Sequence, residues 1–214
     1  MCREDGKDYR YCALHYISEM YGAETIINEV VPLCEDDDFL RAVAPYVPVE
    51  LEAAVLDEKL DAAYERNPSR QWMEILIKRN HPNALEQYIQ EAEEKNTLPD
   101  MTNGIEVPSL TRAIEFVSDA ALLDKILRLL YLTTTPTFID KRSFGLEHSC
   151  RESVCHMASL NYDSVRKTLE QSKHNASGKY RQTCIDLIQR IDEEHQIQDD
   201  KGMNFAEALI LMGA

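Results

Sequence analysis

Cysteine and histidine have the widest chemistry of the side chains in this chain, and their densest cluster is His148, Cys150, Cys155 and His156. A structural zinc site needs four ligands that converge on one point. His148 and Cys155 share a helix face because they are seven residues apart, whereas Cys150 and His156 point elsewhere. Since one helix cannot bring all four side chains together, we expect packing and surface roles here and no bound metal.

Motifs for catalysis and nucleotide binding are missing from the sequence. It contains no Gly-x-Gly-x-x-Gly, no phosphate-loop Gly-Lys-Ser/Thr, no His-Glu-x-x-His and no Gly-x-Ser-x-Gly. The residues beside the cysteines do not match a sequence signature for the paired thiolate and base that cysteine catalysis needs. We therefore predict that the protein is not an enzyme and has no cofactor.

The cysteine pattern favours a reducing compartment. The six cysteines are scattered singly in a chain of 214 residues, which is long enough to fold without disulfides. The charged first residues lead into no apolar run, and no stretch approaches the roughly 18 apolar residues of a membrane span. These features predict a cytoplasmic protein with reduced thiols, no signal peptide and no membrane partner.

Acidic residues outnumber basic ones, 38 to 23, which gives a net charge of −15. The first 66 residues hold 16 of the acidic and 6 of the basic residues. An acidic surface repels phosphate groups, so nucleic acid and anionic lipid are disfavoured as partners. The simpler interpretation of these acidic residues is a solvated surface that keeps the protein soluble. The alternative is a binding face for a basic partner, formed by Glu35, Asp36, Asp37, Asp38, Glu50, Glu52, Asp57, Glu58 and Asp61.

Helical signals recur along the whole chain. Asp8 is placed to cap a helix over 9–21, which Gly22 ends, and a second helix over 24–31 stops at Pro32. A stripe of apolar residues from Val49 to Ala63 predicts a helix that runs to Arg66. Two further helices begin at Asn67-Pro68 and Asn80-His81-Pro82, and the second buries Leu85, Tyr88, Ile89 and Ala92.

The second half of the chain is also read as helices. Ser109 caps a helix with an apolar face from Leu110 to Ala121, and Ser118-Asp119 is an alternative start for the next helix. A helix over 144–160 is followed by a new one capped by Asn161. Gly178 separates that helix from the next. No segment alternates like a strand except 133–139, where Pro136 interrupts the pattern.

These patterns predict an all-α fold. Helix pairs begin at intervals of about 30–45 residues, which is typical of stacked helical repeats, so a HEAT-like solenoid of antiparallel pairs is one architecture. An irregular helical bundle is the other. The composition further predicts an acidic N-terminal half over 1–95, a loop or seam over 96–108 and a C-terminal half over 109–214, which together can form one repeat domain.

One region resembles a known family. The helix over 121–132 reads Ala-Leu-Leu-Asp-Lys-Ile-Leu-Arg-Leu-Leu-Tyr-Leu, a helix from Ser143-Phe144 ends in Ala158-Ser159-Leu160, and the next begins Asn161-Tyr162-Asp163. These segments resemble the C-terminal helical-repeat region of bacterial NACHT/STAND-type NTPases, some of which act in defence against phages. The resemblance implies a region that senses a partner, while hydrolysis lies in other domains.

The sequence thus supports three functional hypotheses. The first is a non-enzymatic module that binds or senses a protein or peptide, in line with a role in bacterial defence. The second is an acidic inhibitor or immunity-type protein that blocks a basic enzyme through the acidic residues named above. The third is an enzyme with an unrecognised helical active site.

Overall fold

Helices account for almost all of the computed structural model, which describes residues 7–49, 51–95, 101–102, 105–106, 109–135 and 143–211. The all-α prediction is confirmed. The contacts divide the chain into two compact units, which we call unit 1 (Met1–Leu85) and unit 2 (Glu86–Ala214). Most of the predicted seam over 96–108 lies outside the described residues. The borders of the halves 1–95 and 109–214 therefore remain predictions from the sequence.

Unit 1 begins with α1 (Lys7–Tyr21), which ends where predicted, at Gly22. Gly22 has φ +81° and ψ 170°, and its N–H donates to the Ser18 carbonyl at 3.0 Å. The helix starts one residue before Asp8, so Asp8 is not its cap. The single helix predicted over 24–31 is instead α2 (Ala23–Thr25), a π-helical turn (Ile26–Val30) and a 3₁₀ turn (Val31–Leu33) that contains Pro32.

The rest of unit 1 holds α3 (Asp37–Val43), α4 (Ala54–Arg66) and α5 (Arg70–Lys78). α3 has Asp36 as its N-cap, because the Asp36 carboxylate accepts the Phe39 N–H at 2.6 Å. α5 is capped by Ser69, so the start predicted at Asn67-Pro68 is two residues early. The unit buries one apolar core, whose members include Leu14, Ile26, Val31, Leu40, Val43, Leu56, Leu60, Trp72, Leu76 and Ile77.

The chain leaves α5 through a left-handed turn at Asn80, which has φ +61°. The Asn80 N–H donates to the Ile77 carbonyl at 3.0 Å, and the His81 N–H donates to the Leu76 carbonyl at 2.9 Å. This is the Schellman pattern of a helix C-terminus. α6 (Pro82–Lys95) then begins at the predicted proline. All four residues of its predicted apolar face are fully buried, namely Leu85, Tyr88, Ile89 and Ala92.

Unit 2 continues with two short strands, β1 (Met101–Thr102) and β2 (Ile105–Glu106), which pair in antiparallel fashion. They are followed by α7 (Ser109–Ala113), two 3₁₀ turns (Ile114–Phe116 and Ala120–Leu122) and α8 (Leu123–Thr134). The backbone between the two turns becomes extended at Val117, so the helix predicted from Ser109 is short.

The two longest helices complete unit 2. They are α9 (Ser143–Asn175) and α10 (Gly178–Leu211). α9 is broken at Asn161, whose φ of −150° and ψ of 63° are not helical, and Gly178 has φ +59°. Both predicted boundaries are therefore confirmed. α9 packs against α8 and α10, and α8 also contacts α10. The solenoid arrangement is not confirmed, and an irregular bundle is compatible with these contacts.

Candidate interaction surface

The outer face of α1 carries a row of exposed apolar side chains. Tyr9, Ala13, Tyr16 and Met20 are spaced by four, three and four residues, so they lie on one side of the helix, with Cys12 beside them. All five are exposed, Tyr9 by 54%, Tyr16 by 56% and Met20 by 61%. We call these five residues the α1 stripe. Large contiguous apolar patches on a protein surface often belong to sites where another molecule binds.

The other side of α1 attaches the helix to unit 1. Leu14 is 2% exposed. The Arg10 guanidinium lies 5.4 Å from the centre of the Phe39 ring and 3.6 Å from the Asp36 carboxylate, which joins α1 to the start of α3. The stripe is therefore a second apolar face on a helix whose first face is already buried.

Two aromatic rings at the C-terminal part of α1 contact each other. The rings of Tyr16 and Tyr21 lie 6.3 Å apart, edge to face, with an interplanar angle of 75°. Tyr21 is 63% exposed, so the pair is open to solvent. Because each ring restricts the other, a partner that covers them loses less side-chain entropy than one that must order two free tyrosines.

The exposed charge around the end of α1 is negative. Glu19 lies in the last turn of α1, which contains no basic residue, and Glu24 follows the turn at Gly22. Both glutamates are exposed, and neither pairs with a cationic side chain of the described residues. The C-terminus of a helix carries a partial negative charge of its own, so these carboxylates add to a field that favours cations.

The structure divides the nine acidic candidates into two groups. Glu35, Glu52 and Glu58 are exposed and have no cationic partner within the described ranges, and Glu50 lies outside those ranges. The five aspartates each contact a cationic side chain or a histidine of unit 1: Asp36 with Arg10 (3.6 Å), Asp37 with Arg66 (2.7 Å), Asp38 with Arg41 (2.6 Å), Asp57 with Arg79 (2.6 Å) and Asp61 with His81 (2.9 Å). The aspartates thus have partners within unit 1, and the excess of negative charge on its surface comes from glutamates.

A cleft of about 300 Å³ lies among the same acidic residues. The Lys59 ammonium group donates to the Cys34 carbonyl at 2.8 Å and lies 3.4 Å from the Pro32 carbonyl. Its hydrogen bonds therefore go to the backbone at the end of the 3₁₀ turn. Burial raises the pKa of the Cys34 thiol, which the Lys59 charge only partly offsets. The Cys34 thiol is therefore not activated as a nucleophile.

The structure disperses the His148 cluster. Cys150 is fully buried, and burial raises the pKa of its thiol. Cys155 is 5% exposed, and burial raises its pKa to about 11. His148 is exposed and lies 3.6 Å from Glu152, whereas the His156 ring bonds the Glu115 carbonyl at 2.8 Å. Protonated thiols of this kind are poor nucleophiles and poor metal ligands.

Polar side chains between α9 and α10 form a second cluster. The Tyr162 hydroxyl donates to Asp192 at 2.7 Å, Arg166 donates to the same carboxylate at 3.0 Å, and the His195 ring stacks on Tyr162 at 3.9 Å. Burial acts to raise the pKa of Asp192, but the two hydrogen bonds outweigh it and the pKa is lowered. The cavity beside the cluster, of about 10 Å³, holds no more than one water, so these contacts serve to join the helices.

Comparisons with protein-family models, curated proteins and solved structures found no match to this chain. Within the described residues, no group of three or more His, Cys, Asp or Glu side chains could hold a metal ion. None of the helices in that part of the chain has both the length and the apolarity needed to cross a membrane. The fold is all-α, and the α1 stripe is an exposed apolar row within the described residues.

None of the binding residues predicted from the sequence lies in the α1 stripe. A signal for it exists, because α1 has apolar residues on two sides: Tyr9, Ala13, Tyr16 and Met20 on one, and Leu14 on another. A helix that is apolar on more than one face is either fully buried or shared with a partner. The sequence pattern leaves that choice open.

Proposed function

We propose that this protein is a non-enzymatic module that binds another protein, and that the α1 stripe is the contact surface on unit 1. The observation that carries the proposal is the row of exposed tyrosine, alanine and methionine side chains on a helix whose opposite face is anchored by Leu14 and Arg10. Tyrosine and methionine are enriched in protein interfaces, and tyrosine is enriched among the residues that dominate binding energy.

The resemblance of the region from Ala121 to Glu170 to the sensor repeats of bacterial NTPases points to the same class of function. A sensor region binds its partner through side chains on helix surfaces and needs no catalytic group of its own. A role in bacterial defence is therefore part of the proposal.

Site-specific photo-crosslinking tests the contact surface. A benzophenone amino acid replaces Tyr16 in the full chain, and the same replacement of Tyr11 serves as the matched control. Both tyrosines lie on α1 with similar exposure, 56% and 51%, but Tyr11 is off the stripe. In extracts of the source organism, position 16 should yield a defined protein adduct that position 11 does not. Equal adducts from both positions, or none from position 16, would refute the proposal.

An acidic inhibitor of a basic enzyme is the second candidate function. It is favoured by the exposed glutamates of unit 1 that have no cationic partner among the described residues, Glu19, Glu24, Glu29, Glu35, Glu52, Glu58 and Glu65. Salt distinguishes the two candidates once a partner is captured. Association steered mainly by the many exposed glutamates slows steeply with ionic strength, whereas association through the α1 stripe, which is flanked by only Glu19 and Glu24, slows less.

A further inference from the structure

The spacing of the α1 stripe fits a helix better than an extended strand. Its side chains follow the i, i+4, i+7, i+11 pattern over about 16 Å of helix axis. Ala13 is small and lies between the two large rings of Tyr9 and Tyr16, so we expect a depression at the centre of the row. Helices that pack side by side insert large side chains into such depressions.

The charges around the stripe indicate the composition of that helix. Arg10 is turned towards Asp36 and Phe39 and so does not neutralise the stripe side. At the other end, Glu19 adds negative charge to the C-terminus of α1, whose last turn has no basic residue, and Glu24 follows in the first turn of α2. A carboxylate in the last turn of a helix, such as that of Glu19, is unfavourable for the isolated protein, and a cation supplied by a partner removes the penalty.

From this juxtaposition we infer that the α1 stripe binds an amphipathic helix of a partner protein, with an apolar face towards Tyr9, Ala13 and Tyr16 and lysine or arginine side chains towards Glu19 and Glu24. The inference rests on the proposed function and adds the chemistry of the partner. The apolar contact supplies the affinity, and the charges set the direction in which the partner helix lies.

The test uses the full chain and three synthetic peptides of about 18 residues, long enough to form a helix on binding. The first has leucine on one helix face and lysine on the other, the second is a scramble of the same composition, and the third has glutamate in place of lysine. Titrations followed by fluorescence anisotropy should show binding of the first peptide at least about 10-fold tighter than that of the other two, since a matched surface gains more than 1.4 kcal/mol.

Variants of the full chain then locate the binding. Tyr16→Ser should weaken binding of the leucine–lysine peptide by about 5- to 30-fold, as expected for loss of a central tyrosine, while Tyr11→Ser leaves it unchanged. Glu19→Gln combined with Glu24→Gln should weaken it about 2- to 5-fold and reduce its salt dependence. A Cys2→Ser chain with its stripe intact gives a further readout, because the bound peptide should slow alkylation of Cys12 by iodoacetamide.

Several results would overturn the inference. Equal binding of the scrambled peptide shows attraction by net charge alone, and equal binding of the glutamate peptide removes the charge argument. Unchanged binding to Tyr16→Ser, or unchanged alkylation of Cys12, places the peptide elsewhere. A dimer of this chain that Tyr16→Ser dissociates makes a second copy the occupant. If no peptide binds while position 16 still crosslinks to a protein, the inference fails and the proposed function stands.

Discussion

The turn after α1 depends on backbone angles that only glycine adopts easily, and Gly22→Ala tests how much unit 1 relies on it. At φ +81° and ψ 170°, a residue with a Cβ costs about 1–3 kcal/mol. A Cβ built at Gly22 meets no atom within 4 Å, so the cost comes from the backbone and not from a clash. Alanine restricts the unfolded chain and recovers about 0.4–1 kcal/mol. The middle of the two ranges, about 2 kcal/mol less about 0.7 kcal/mol, gives a net loss of about 1–2 kcal/mol.

Thermal unfolding followed by circular dichroism measures this loss. For a chain of this length, 1–2 kcal/mol lowers Tm by about 2–8 °C. Gly145→Ala is the matched control, since Gly145 lies inside α9 and its Cβ would be 3.8 Å from Thr111 Cγ2, an ordinary contact. That variant should be about 0.5–1 kcal/mol more stable. A Gly22→Ala protein as stable as the wild type would refute the reasoning from backbone strain.

Three further outcomes follow from the packing of single groups. Ser153→Ala should lower the free energy of unfolding in urea by about 1–3 kcal/mol, because it removes the buried 2.7 Å hydrogen bond to the Val117 carbonyl. Ser159 is exposed, and Ser159→Ala should change that free energy by less than about 0.5 kcal/mol. Hydrogen bonds from Arg190 lower the pKa of Glu152 below its ordinary 4.5. The stability that they contribute is therefore present above pH 4.5 and is lost as the pH falls through the pKa of the folded protein. Glu152→Gln should make the fall of Tm between pH 5 and pH 3 less steep. In a Cys2→Ser chain, iodoacetamide should modify exposed Cys12 before the buried Cys34, Cys150, Cys155 and Cys184, and equal rates would contradict the described burial.

Local sequence signals predicted much of the helical structure correctly. Gly22, Asn161 and Gly178 interrupt helices in the structure as they do in the pattern, because each position needs backbone angles that its neighbours disfavour. The face Leu85, Tyr88, Ile89 and Ala92 is buried because its spacing leaves no other apolar side on α6. The predicted start of α5 is two residues early, because the Ser69 hydroxyl, and not Asn67, accepts the N–H of Trp72 and caps the helix.

The partners of the charged residues could not be predicted from the sequence. Asp37 pairs with Arg66 and Asp57 with Arg79, which are 29 and 22 residues away along the chain. Such pairs form only when separate helices are brought together, so a count of charges cannot separate carboxylates with internal partners from those that face solvent. The predicted acidic face is for this reason only partly a free surface, and the exposed excess lies on glutamates such as Glu19 and Glu24.

The sequence by itself determined that this protein is made of amphipathic helices and where several of them end, because helix periodicity and glycine conformations are local properties. Only the tertiary structure decided which side of α1 is buried. Leu14 and the stripe are both apolar, and the pattern of α1 alone cannot rank them. The packing of α1 on unit 1 buries Leu14 and leaves Tyr9, Tyr16 and Met20 exposed, since a helix can place only one face against a given core.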